Sequence, residues 1–74
     1  MSRLIRMDRT GHTTLAEWNV EDPASVQAAV VAFREELDHG YYGVLSRGEG
    51  DAEQVRELPL DAELVIMRLP IAGG

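Results

Sequence analysis

Cysteine and lysine are both absent from this chain of 74 residues. Without cysteine there is no disulfide, no thiolate metal site and no cysteine nucleophile. A chain this short is near the lower end of what folds without a staple, so its stability must come from one packed core. Aromatic residues are scarce, with one Trp, two Tyr and one Phe, and Trp18 is the expected core or rim anchor. No apolar run approaches the roughly 18 to 20 residues that span a membrane. The opening Met1-Ser2-Arg3-Leu4-Ile5-Arg6 lacks the apolar stretch of a signal peptide. The expectation is a single domain over 1–74, cytoplasmic, with no membrane partner. The net charge of −6 argues against nucleic acid, whose binding relies on basic side chains that neutralise phosphates. It suits a basic surface on a partner, or simple solubility.

What is present reads as strands around one helix. Arg3 to Asp8 carries Leu4, Ile5 and Met7 and forms a first strand, with Ile5 and Met7 expected on the core side. Arg9-Thr10-Gly11-His12 is a turn with a glycine available for positive φ. Thr13 to Trp18, rich in β-formers, pairs back on the first strand. Asp22 is an N-cap residue and Pro23 suits the first helical position. Val26, Ala29, Val30, Phe33 and Leu37 then recur at helical spacing, which predicts a helix from Pro23 to Asp38 closed by Gly40. Glu35, Glu36 and Asp38 are expected on its solvated acidic side. Tyr41 to Ser46 is a third strand, with one of Tyr41 and Tyr42 in the core and the other at the surface. Arg47-Gly48-Glu49-Gly50-Asp51 is a polar loop. Glu53 to Leu58 is a charged edge strand, and Glu63 to Leu69 the last strand. A single helix with one apolar stripe must cross one face of a mixed sheet. With the last strand central and beside the first, the arrangement is an α+β β-grasp: hairpin, helix, then two to three strands.

The ends of the chain carry a resemblance. Thr10-Gly11-His12-Thr13 resembles the hairpin turn of the ubiquitin-like superfamily, followed there too by an acidic stretch and a helix. Leu60-Asp61-Ala62-Glu63-Leu64-Val65-Ile66, then Leu69-Pro70-Ile71-Ala72-Gly73-Gly74, is similar to the ending of its sulfur-carrier branch, the small subunit of molybdopterin synthase and the thiamine sulfur carrier. Ala62 stands where those carriers usually have glycine, and the helix is longer than the compact carriers need. The resemblance implies a carrier or modifier, not an enzyme. Its Gly74 carboxylate would be adenylated by an activating enzyme that uses ATP, then thiocarboxylated by a sulfur donor or conjugated to a target. The carrier itself would bind no cofactor.

On that reading residues 70–74 form a flexible tail. Gly73 and Gly74, lacking Cβ atoms, suit a narrow enzyme channel. Pro70 stiffens the exit, Ile71 supplies one apolar anchor beside Ala72, and Arg68 and Leu69 meet the partner, Arg68 through an acidic group. Met67 and Leu69 either join an apolar patch there or belong to the core. The lack of lysine, which a GC-rich genome also produces, would leave no ε-amine to attack the activated tail. The competing expectation is a β-grasp interaction or structural module, for example from a mobile-element or phage assembly, with an inert tail. No other constellation carries chemistry. His12 and His39 are isolated, so no metal site is expected. Ser25 and Ser46 lack a base or elbow motif, and Gly48-Glu49-Gly50 lacks the lysine of a phosphate loop.

Overall fold

The computed structural model describes residues 1–46 and 52–70. The expected 47–51 loop and the last four residues of the tail lie outside them. Five strands and one helix follow in the order β1 (Ser2–Asp8), β2 (Gly11–Trp18), α1 (Pro23–Asp38), β3 (Tyr42–Ser46), β4 (Ala52–Val55) and β5 (Leu64–Arg68). The strands form one sheet in the order β2-β1-β5-β3-β4. β5 runs parallel to β1, and the remaining pairs are antiparallel. The last strand is therefore central, as its unbroken apolar run predicts.

The helix starts and stops where the sequence places it, though the start works differently. Asp22 is the N-cap, but its carboxylate makes no capping hydrogen bond. The entry is held instead by Asn19, whose Oδ1 accepts from the Glu21 N–H at 2.9 Å, and by Ser25. The Ser25 hydroxyl donates to the Asp22 carbonyl at 2.8 Å and accepts from the Asn19 N–H at 3.0 Å. At the other end Gly40 adopts φ 92. Its N–H reaches the Leu37 carbonyl at 3.0 Å and the Tyr41 N–H reaches that of Glu36 at 3.0 Å. This is the paired closure that a left-handed residue makes possible, and a Cβ there would strain it.

One face of the sheet packs on the helix. Trp18, Phe33, Leu4, Met67 and Val65 are fully buried, with Ala29, Leu45 and Ala62 completing the cluster. Trp18 anchors the core as expected, and its indole N–H donates to the Leu60 carbonyl at 3.0 Å, pinning the segment that leads into β5. The Ala62 methyl belongs to this cluster, so glycine there would give up buried contact. Gly43 sits directly under Phe33: a Cβ on it would fall 2.7 Å from Cε1 of that ring. Close approach of an aromatic ring makes this strand position glycine.

Three expectations need correcting. The core side of β1 is Leu4 and Arg6, not Ile5 and Met7. Leu4 is opposite Val65 and Arg6 opposite Met67, both of which face the helix, whereas Met7 is 40% exposed. Ile5, though buried, lies outside the helix-side cluster. Second, Glu36 is not on a solvated acidic side but is buried, because it meets Arg6. Third, β4 ends at Val55, short of Leu58. The chain bends at Arg56–Glu57, and Leu58 leaves the sheet edge to pack against the core. Tyr41 and Tyr42 do divide: Tyr41 packs against the helix-side core, while Tyr42, opposite Arg68, lies on the open face, each half-buried.

Candidate functional site

The end of β5 is where the expected site residues gather. Leu64 to Met67 form the central strand: Val65 and Met67 are buried on the helix side, while Leu64 and Ile66 are half-buried on the other face, Ile66 between Ile5 and Val44, and two of the four side chains are β-branched. The strand stops at Arg68. Pro70 has no N–H to extend the ladder. Met67 is core and Leu69 is not: Met67 is fully buried while Leu69 is 51% exposed. Arg68, Leu69 and Pro70 are all exposed. Ile71, Ala72, Gly73 and Gly74 lie outside the described residues.

The β1–β2 turn flanks this exit. Met7, Asp8, Arg9 and Thr10 form a groove with Arg68, Leu69 and Pro70. The turn is tied by Asp8, whose Oδ1 accepts from the Thr10 hydroxyl at 2.6 Å and the Thr10 N–H at 2.9 Å. Those bonds, with the nearby Arg6 charge, hold the Asp8 carboxyl below its ordinary range. Gly11 follows with φ 117, the positive value that its place in the turn predicts.

Behind the groove, on the helix side, Arg6 donates from Nη1 to Glu36 Oε1 at 3.1 Å. This charge-assisted hydrogen bond, with the Glu36 charge, raises the Arg6 pKa. The guanidinium lies 5.7 Å from the centre of the Tyr41 ring, within cation–π range, and its Nε is 3.7 Å from Asp8. His39, the exposed helix C-cap, places Nδ1 3.6 Å from Glu36 Oε2. The set joins the helix C-terminus to the strand beside the exit. The sequence carried a signal for it: Glu36 follows Ala29 and Phe33 along the apolar stripe, and Arg6 shares the strand parity of Leu4.

The open face of the sheet carries a cross-strand row. Ile5 is opposite Ile66, and Ile66 opposite Val44; beside them Met7 is opposite Arg68, and Arg68 opposite Tyr42. Among the described residues no group of three or more His, Cys, Asp or Glu side chains converges as a metal site. No described helix is long and apolar enough to cross a membrane. Comparison with protein-family models, curated proteins and solved structures finds no match.

Proposed function

We propose that this chain is a β-grasp carrier or modifier whose Gly73-Gly74 tail is activated at the Gly74 carboxylate by an adenylating enzyme. The observation that carries the reading is the position of β5. It is the central strand, parallel to β1, and it leads past Arg68 to an exposed Leu69-Pro70, after which the sequence runs Ile71-Ala72-Gly73-Gly74. The strand at the middle of the sheet thus delivers the chain to an exposed exit at Leu69-Pro70. Tertiary order at the foot of the tail reduces the entropy lost when a partner takes hold of it.

The chemistry is that of an acyl donor. A Gly74 carboxylate oxygen attacks the α-phosphorus of ATP on the activating enzyme, pyrophosphate leaves, and an acyl-adenylate forms. Hydrosulfide then displaces AMP to give a thiocarboxylate, or a cysteine thiol displaces it and an amine takes the acyl group in turn. Each attack approaches the last carbonyl closely, which glycine at 73 and 74 allows. The body supplies no catalytic group; it presents the substrate. With no lysine in the sequence, no ε-amine on the body competes for the activated acyl group.

The test is to incubate the full chain with a candidate activating enzyme and ATP, and to follow pyrophosphate release and intact mass. Adenylation that is lost on deleting Gly73-Gly74, with the melting temperature unchanged, supports the reading. Equal turnover of the truncated chain overturns it. The proposal requires a free carboxylate on Gly74, which intact mass reads directly.

A further inference from the structure

The groove at the foot of the tail is lined by the apolar Met7, Leu69 and Pro70 together with the cations Arg9 and Arg68. Met7 and Arg68 are neighbours across β1 and β5, and Leu69 and Pro70 extend the wall that they begin. Met7 and Leu69 are 40% and 51% exposed, and both line the groove. Arg9 also lines the groove. The one carboxylate of the groove, Asp8, is already engaged by Thr10 and Arg6. Among the described residues neither Arg9 nor Arg68 has an ion pair, whereas Arg3 and Arg6 do. In a chain of net charge −6, two unmatched guanidinium groups sharing a groove with apolar side chains are a local reversal of sign.

We propose that this groove docks an acidic peptide segment of a partner protein, one in which carboxylates flank an apolar side chain. The apolar residue would cover Met7 and Leu69, and the carboxylates would take the Arg9 and Arg68 guanidinium groups, whose planar forks match carboxylate geometry. The apolar lining selects a peptide over a phosphate chain, which would gain nothing from it. The overall negative charge opposes nucleic acid as well. Docking here does not depend on activation of Gly74, so the two proposals fail separately.

The experiment is an NMR titration of the full chain with a synthetic extended peptide carrying one leucine between pairs of glutamates. The matched control has glutamines in place of the glutamates. Saturable shifts confined to Met7, Arg9, Arg68 and Leu69 are expected with the glutamate peptide only, and they weaken as salt is added. The Arg9→Glu/Arg68→Glu double variant should bind at least about tenfold more weakly. A second variant, Leu69→Ser, should also weaken binding, and both should melt with the parent. Several results overturn the proposal: no saturable shift, shifts elsewhere on the sheet, or equal binding of the glutamine peptide. So does an oligonucleotide that binds the same residues as well as the peptide, or concentration-dependent shifts there without peptide, which would make the occupant a second copy of the chain.

Discussion

Arg6 and Arg68 lie on adjacent strands one residue out of step, Arg6 opposite Met67 and Arg68 opposite Met7, and they point to opposite sides of the sheet. Arg6 turns under the helix end, where Glu36, Tyr41 and Asp8 surround it. Arg68 turns to the open face, where no carboxylate pairs with it among the described residues. The same side chain is thus a structural tie on one face and an available cation on the other. Strand parity decides which, because a step of one residue exchanges the faces.

The contrast between the packed and open sides is broken most severely at Phe33. Phe33→Ala removes the largest buried side chain that the helix contributes and should cost about 3–5 kcal/mol. That is a large share of the roughly 5–15 kcal/mol that holds a small domain together, and urea unfolding would read it. Gly43→Ala attacks the same contact from the sheet. With its Cβ 2.7 Å from the Phe33 ring, overpacking of about 1–3 kcal/mol is expected, again by urea unfolding.

The next comparison sets the two arginines against each other directly. Glu36→Gln withdraws the buried partner of Arg6 and should lower the melting temperature, whereas Arg68→Gln should leave stability within about 0.5 kcal/mol. Similar melting of the two variants would deny the distinction. A smaller effect belongs to Asp8. Its carboxyl pKa is lowered in the folded chain, so the stability it contributes is present above the ordinary carboxylate pKa. That stability is lost as pH falls through the lowered folded value. Asp8→Asn should therefore melt earlier than the parent near neutral pH and converge with it in acid, as a series of thermal melts at falling pH would show.

Much of this arrangement is readable in the residues. Pro23, the spacing of Val26, Ala29, Phe33 and Leu37, and Gly40 define the helix, because caps and a 3.6-residue period are local signals. The apolar run of β5 implies a central strand. The core side of β1 is less legible: Leu4, Ile5 and Met7 offer apolar residues to both faces. Only pairing with Val65 and Met67, some sixty residues later in sequence, chooses Leu4. Glu36 was hidden for a related reason. A carboxylate on an apolar stripe is tolerable only if a cation arrives from elsewhere, and Arg6 comes from thirty residues away. Among the candidate site residues, Arg68, Leu69 and Pro70 fall at one exposed corner because β5 ends at Arg68 and Pro70 has no N–H with which to extend the ladder. The part played by Arg9 and the turn depends on β1 and β5 being parallel neighbours, which no local signal states.

The carrier reading meets its most direct test in the intact mass of the protein taken from its native host, before and after incubation with activating enzyme, ATP and sulfide. Replacement of one oxygen by sulfur at Gly74, or recovery of the chain joined through Gly74 to another protein, is the expected result. A mass that never changes, with no adenylate formed in any extract of the host, would contradict it.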